Sequence, residues 1–175
     1  GVKSCFKPGN ISQRMKSRFL TRHGINDSFI SYAGSADERK NHLRLIKSYS
    51  ELPENVRSLH QLVFAGNISD EYKDKFRAYA ELCGLKKGDL ILTSILSDED
   101  MVRFYQLATV FVFASWHEGF GLPALEAMSC GCPVIAANTS SLPEIIDRKD
   151  ALFNPFEVPS IRDLLLRVLI DSEWR

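Results

Sequence analysis

A doubly wound α/β domain, with a parallel β-sheet between helices on both faces, is the fold this sequence predicts. Three observations carry that expectation. Short apolar runs alternate six times with longer segments whose apolar residues recur at helical spacing. Runs such as Val110-Phe111-Val112-Phe113-Ala114 are apolar throughout, as strands are when both faces of their sheet are covered. A chain of 175 residues is long enough for one compact domain with a substantial core.

Residues 1–26 hold Lys3, Lys7, Arg14, Lys16, Arg18 and Arg22 and no acid, so the remainder carries a net charge of −6. Ile11, Met15 and Phe19 recur every four residues, which predicts a short basic amphipathic helix within a linker-like entry segment. A solvated face docked on the domain is the economical expectation for it. The alternative is peripheral contact with an anionic membrane surface. The domain proper is expected over 27–175. Phe29 to Ala33 reads as the first strand, ending at Gly34. Lys40 to Leu52 is the helix after it, with Leu43, Ile46 and Tyr49 on one side and Pro53 as the stop. Gln61 to Ala65 is the second strand, again ending in glycine. Tyr72, Phe76, Tyr79, Ala80 and Cys83 share one face of a helix over 69–83, closed by Gly84.

Leu90 to Leu92 is a short third strand, and Ser97 with Asp100 three residues on marks a helix start. Val110 to Ala114 is the fourth strand. Pro123 suits the first turn of the next helix and Gly131 its end. Pro133 to Ala137 and Ala151 to Phe153 are the fifth and sixth strands, before a helix over Ile161 to Ile170.

Composition narrows the function classes. Lys plus Arg number 22 against 22 Asp plus Glu, which argues against a general nucleic-acid binder, since that needs a basic excess. No apolar run approaches the ~20 residues of a membrane-spanning helix, and Gly1 to Asn10 lack the apolar block of a signal peptide. Cys5, Cys83, Cys130 and Cys132 are irregularly spaced, and the last two stand too close for the usual zinc pair. They are expected to be reduced thiols of a cytosolic protein.

In a doubly wound sheet, ligands sit beyond the carboxyl ends of the strands, so the loops 34–40, 66–69, 93–97, 115–122 and 138–143 are the ones to search. The richest runs from Ser115 to Glu126, leaving a buried strand and opening a helix. Free amides at Phe120, Gly121 and Leu122, with the helix dipole behind them, predict an anion site, and Gly119 and Gly121 let the backbone approach a phosphate. Gly119-x-Gly121-x-x-Ala124 also satisfies the dinucleotide fingerprint. It follows the wrong strand, however, and the next strand ends in Ala137-Asn138 without the acid that fingerprint requires.

Glu118 and Glu126 flank this cradle. A carboxylate beside phosphate is unwelcome unless it accepts hydrogen bonds from something else. Adjacent sugar hydroxyls are suitable donors, one pair on a ribose and another on a transferred sugar. Asp98-Glu99-Asp100 is a literal D-x-D, expected to cap its helix rather than to hold a metal. His117 is open to a role toward sugar or phosphate, or to none.

Glu118 to Glu126, continued through Ala127-Met128-Ser129-Cys130-Gly131-Cys132-Pro133-Val134-Ile135, resembles the E-x7-E signature of retaining glycosyltransferases with the GT-B fold. The specific likeness is to family 4, also called glycosyl transferases group 1. Gly1 to Pro8 resembles the linker entering that family's second domain, and Glu38-Arg39-Lys40-Asn41 its basic phosphate motif. Thr139 to Glu144 resembles a later loop common among bacterial members. The resemblance implies a Rossmann-like second half of a GT-B fold, with the acceptor domain and the last carboxyl-terminal helices absent.

It further implies that Glu118 contacts the transferred sugar and Glu126 the ribose. The amides from Gly119 to Leu122 and Lys40 would hold the diphosphate, with Arg39 assisting. Gly34 would line the donor site, while Ile95 and Leu96 belong to the loop that meets the base. The donor would be a GDP- or UDP-linked sugar, with no further cofactor and no metal. The implied product is a mannosyl or related linkage on a glycan or lipid-linked acceptor of cell-surface polysaccharide, made in the cytoplasm near the inner face of the plasma membrane. Ser35 stands where many members have Arg, Ser94 where Gly is common, and Cys132 where Thr is usual. The alternatives are a nucleotide-sugar-binding module without transferase activity, and a pyridoxal-phosphate relative for which no cofactor lysine stands out.

Overall fold

A computed structural model describes all 175 residues. Ser12 accepts a hydrogen bond from the Met15 amide and opens helix α1 (Gln13–His23), which Gly24 ends in the left-handed conformation at φ 66°. Strand β1 (Phe29–Ala33) is buried along its whole length. A 3-10 turn at Glu38–Lys40 leads into α2 (His42–Ser50), followed by α3 (Glu54–Arg57) and β2 (Gln61–Ala65). Next come α4 (Asp70–Leu82), β3 (Leu90–Leu92) and α5 (Asp98–Leu107), whose cap Ser97 accepts from the Asp100 amide at 3.2 Å. The second half holds β4 (Val110–Phe113), α6 (Leu122–Ser129), β5 (Val134–Ala137), α7 (Leu142–Ile146), β6 (Leu152–Phe153) and α8 (Val158–Ile170).

The six strands form one parallel sheet in the order β3-β2-β1-β4-β5-β6. The chain winds outward from β1 in one direction and from β4 in the other, so a crevice opens between their carboxyl ends. Helices α2, α3, α4 and α8 pack together in one layer, and α1, α5, α6 and α7 in the other. Continuous apolar strands are therefore covered on both sides, as their composition predicts. Phe29, Phe64, Phe111 and Phe113 are fully buried, and each such side chain removed from water contributes roughly 1.5–3 kcal/mol before entropy is counted. Phe6, Phe19, Leu20 and Ile25 join the same core, so the basic entry segment is packed against the domain.

Four helices depart from expectation. The helix foreseen from Lys40 begins at His42, because Asn41 takes a left-handed φ of 63°. Its side-chain amide donates to the carbonyls of Ala114 (3.1 Å) and Pro155 (2.7 Å), and these tertiary bonds outweigh helix continuity. Helices α3 and α7 are too short for periodicity to reveal, although Pro53 and Pro143 mark their starts. Helix α8 starts at Val158, three residues early, with Pro159 in its first turn.

Candidate functional site

The site is built on the carboxyl ends of β1 and β4. Gly34 follows β1 and donates its amide to Ala65 of β2 at 3.0 Å. A Cβ on Gly66, at φ +143°, would stand 2.2 Å from the Gly34 carbonyl oxygen, so the two strand ends close together only with glycine there. Beyond β4 the chain crosses the edge of the sheet and enters α6 through Gly121, at φ 67°. A Cβ at that glycine would meet Ile145 Cδ1 at 2.9 Å and Leu142 Cδ2 at 3.0 Å.

A Cβ on Gly119 would meet no protein atom within 4 Å, so packing makes no demand for glycine at that position. The amides of Gly119, Phe120, Gly121 and Leu122 donate to no protein acceptor, and they stand at the positive end of α6. The loop is fastened just before them. The Glu118 amide donates to Ser140 Oγ at 3.1 Å, and the Ser141 hydroxyl donates to the Glu118 carbonyl at 3.5 Å. Ser140 itself has a left-handed φ of 54°.

Lys40 reaches this loop from the other side. Its ammonium lies 2.5 Å from Glu118 Oε1, with the two side chains only 16% and 13% exposed. The Phe113 ring centroid is 5.9 Å from the same ammonium. The Trp116 amide donates to the Arg39 carbonyl at 3.0 Å, which locks the loop after β1 to the loop after β4. The Arg39 side chain turns elsewhere: its guanidinium grips Asp37 through contacts of 3.2 and 3.3 Å. Burial pushes the Asp37 carboxyl up, but hydrogen bonds from the Arg39 side chain and amide outweigh it and hold the group below its usual range.

Glu126 lies one turn into α6 and is half-buried. Burial pushes its carboxyl above the usual range, partly offset by the Tyr105 hydroxyl, which donates to Oε2 at 3.3 Å, and by the charge of Lys3. The Tyr105 hydroxyl is itself buried and pushed up, so it remains a proton donor across the accessible pH range. Ile95 is exposed and Leu96 half-buried in the loop after β3, which is anchored by the Thr93 amide on the Phe64 carbonyl at 2.9 Å. A hollow of about 280 Å³ opens there between Gly66, Ile68, Ser94 and Ile95.

The sequence-predicted residues Lys40, Glu118 and Gly119 to Leu122 are thus brought together, with Gly34 at the same edge. Arg39 points to Asp37, and Glu126 stands apart with a partner that sequence reasoning missed, Tyr105. The sequence names the segments that hold Asn41, Ser140 and Ser141, but not the anchoring bonds these residues make. Nothing in local pattern pairs Tyr105 with a residue 21 positions away, whereas a left-handed Asn before a helix was a readable signal. Asp98 pairs with Lys3 at 2.7 Å and Asp100 with Arg103 at 2.9 Å, at the start of α5. His117 is exposed. Cys130 and Cys132 lie buried beyond the far end of α6, their thiols pushed by burial to about 11 and about 12.

Residues 14–175 match the family described as "Glycosyl transferases group 1". The chain is 40% identical over 153 residues to the serotype-specific mannosyltransferase WbdA of Escherichia coli, across 87% of this chain and 19% of that protein. It is 35% identical over 144 residues to the O-antigen chain mannosyltransferase B of Escherichia coli, across 82% of this chain and 37% of that protein. It therefore spans well under half the length of these relatives. Among solved structures, the C-terminal domain of a glycosyl transferase group 1 family protein (LpcC) from Francisella tularensis aligns with a TM-score of 0.78 and 26% identity. That alignment covers 99% of this chain and 90% of the other. WaaG, a glycosyltransferase involved in lipopolysaccharide biosynthesis, shares the fold with a TM-score of 0.83 at 22% identity, over all of this chain and 47% of its own.

Proposed function

The chain belongs to the glycosyl transferases group 1 family, as the C-terminal domain of a GT-B fold, and from that premise we propose that it binds a nucleoside-diphosphate sugar and supports transfer of the glycosyl group. One observation carries this reading. A lysine and a carboxylate meet beside four unpartnered amides at a helix N-terminus, on the switch point of a doubly wound sheet.

The amides of Gly119 to Leu122 and the Lys40 ammonium hold the diphosphate. As the bond from the sugar's anomeric carbon to the phosphate oxygen breaks, that oxygen takes the electron pair, and the amides and the ammonium stabilise its charge. An acceptor hydroxyl forms the new bond to the anomeric carbon and gives its proton to the departing phosphate oxygen. Glu118 accepts from hydroxyls of the transferred sugar and Glu126 from the ribose, while the base lies against the backbone at Ile95 and Leu96. Arg39 joins the phosphates only by leaving Asp37. No metal or further cofactor takes part.

The mannosyltransferase relatives favour a mannosyl donor, which we read as GDP- or UDP-linked, transferred with retention to a glycan or lipid-linked acceptor whose reacting end is held by an N-terminal domain. No helix of the chain is long and apolar enough to cross a membrane. We place the reaction at the cytoplasmic face of the membrane.

Titration of the isotope-labelled domain with GDP, UDP, ADP and NAD, followed by NMR, tests the assignment. Selective shifts from Gly119 to Glu126 with one nucleoside diphosphate are expected, and Glu126→Gln and Lys40→Ala should each weaken them. Shifts with NAD alone, or unchanged affinity in both variants, overturn it.

A further inference from the structure

A cleft of about 320 Å³ opens between α2 and α4, beside the donor cradle but in the opposite helical layer from Glu126. Its volume lies within the range of clefts that bind small ligands, roughly 300–1,000 Å³. Tyr72 and Tyr79 of α4 and Trp116 of the loop after β4 provide half-buried aromatic walls. The buried His42 is stacked on Phe76 with centroids 4.7 Å apart, and both rings contribute to the lining. Burial lowers the His42 imidazole to about 4, so it is neutral at pH 7, and its Nε2 is buried without any protein partner.

The charges around the cleft are of both signs. Arg44 bonds the Asn41 side-chain oxygen at 3.1 Å and lies 5.6 Å from the Trp116 ring centroid, and Lys75 lies 5.6 Å from the Tyr72 centroid. Against these two cations stand Glu38 and Asp37, the latter engaged by Arg39. A cleft with charges of both signs and aromatic faces suits neither a lone phosphate nor a metal ion. It suits an uncharged polyhydroxyl ring, whose C–H face packs on an aromatic wall while its hydroxyls meet the Glu38 carboxylate and the Arg44 guanidinium.

We propose that this cleft is a carbohydrate subsite, separate from the donor cradle, which takes a neutral pyranose unit of the acceptor glycan. The origin of that glycan rests on the glycosyl-transfer reading above. The position is apt, because Trp116 and Glu118 belong to one loop and the Trp116 amide is tied to Arg39 beside Lys40. A glycan held there keeps its chain at the edge where transfer occurs. A nucleobase is disfavoured, since its ribose would have to reach Glu126 across the sheet edge.

The test is an NMR titration of the labelled domain with α-linked mannotriose, with and without saturating GDP. Signals of Tyr72, Lys75, Tyr79 and the Trp116 indole should shift at millimolar sugar, and GDP should leave those shifts in place. Tyr72→Ala should weaken the sugar at least fivefold while GDP binding is retained. Trp116 fluorescence in a Trp174→Phe background gives a second readout that does not depend on the Tyr72 variant folding. No shift with mannotriose, displacement of the sugar by GDP, or equal shifts from inorganic phosphate would each overturn the proposal. Failure of the donor reading looks different: GDP then leaves Gly119 to Glu126 unmoved, whatever the sugar does at the cleft.

Discussion

Glu118 and Glu126 stand eight residues apart on either side of one helix N-terminus, yet the fold treats them in opposite ways. Glu118 is closed in: Lys40 pairs with its carboxylate, and two serines fix its backbone. Glu126 is left poised, with one tyrosine hydroxyl at 3.3 Å and partial burial that makes its charge costly. One acid is organised by an opposite charge before any ligand arrives. The other has one hydroxyl partner and acceptor capacity left over, which the proposed function assigns to ribose. A motif spacing is therefore silent about mechanism until the partners of each carboxylate are known.

The contrast breaks most easily at Lys40. Lys40→Ala strands the enclosed Glu118 carboxylate, and removing one partner of a buried pair costs about 3 kcal/mol. Urea unfolding should show that loss, with nucleotide affinity falling at least tenfold by calorimetry. The double variant Lys40→Met, Glu118→Leu should regain most of the stability and none of the affinity. Equal stability of Lys40→Ala and the native chain would mean that Glu118 is no more confined than Glu126.

A smaller effect is expected from the glycines between the two acids. Gly121→Ala forces a side chain into the left-handed region and toward Ile145 and Leu142, costing about 1–2 kcal/mol in thermal or urea unfolding. Gly119→Ala meets no protein atom and should leave the unfolding midpoint unchanged while weakening nucleotide binding. A Gly119 variant that binds normally would show that no ligand approaches the backbone there.

The mildest change sharpens the view of Glu126. Tyr105→Phe removes one hydrogen bond, worth about 1 kcal/mol, and one of the influences that lower the Glu126 pKa. Ribose hydroxyls need the ionised carboxylate, so affinity is present above its folded pKa and is lost as pH falls through it. In Tyr105→Phe that loss should begin at higher pH. Stability runs the other way: burial raises the folded pKa above the unfolded one, so the Glu126 contribution is present at low pH and lost as pH rises through the folded value. Measured as the difference between the native chain and Glu126→Gln, nucleotide affinity and urea-unfolding stability should therefore slope with pH in opposite directions, and a binding difference that does not shrink as pH falls would refute the assignment of ribose binding to Glu126.

Much of this was legible in one dimension. Five-residue apolar runs such as Val110 to Ala114 announce strands because a fully buried strand needs no alternation. Ser97 announces a helix start because its hydroxyl can satisfy a free amide of the first turn. The pair of glycines before Pro123 announces a helix N-terminus with free amides. These signals depend on one residue and its neighbours within a turn, and that is the range over which sequence pattern speaks.

The rest waited on the sheet. Lys40 and Glu118 are 78 positions apart and meet because β1 and β4 are adjacent, an outcome of strand order rather than of either segment. Arg39, next to Lys40 in sequence, turns to Asp37 because the 3-10 turn and left-handed Asn41 point the two cations apart. Tyr105 finds Glu126 only because α5 packs on α6. Which segments become strands and helices, and which helix start has free amides, can be read along the chain, since φ preference and hydrophobic period are local. Which carboxylate is neutralised and which is kept ready was decided by the tertiary structure, because burial and charge pairing exist only once distant segments are in contact.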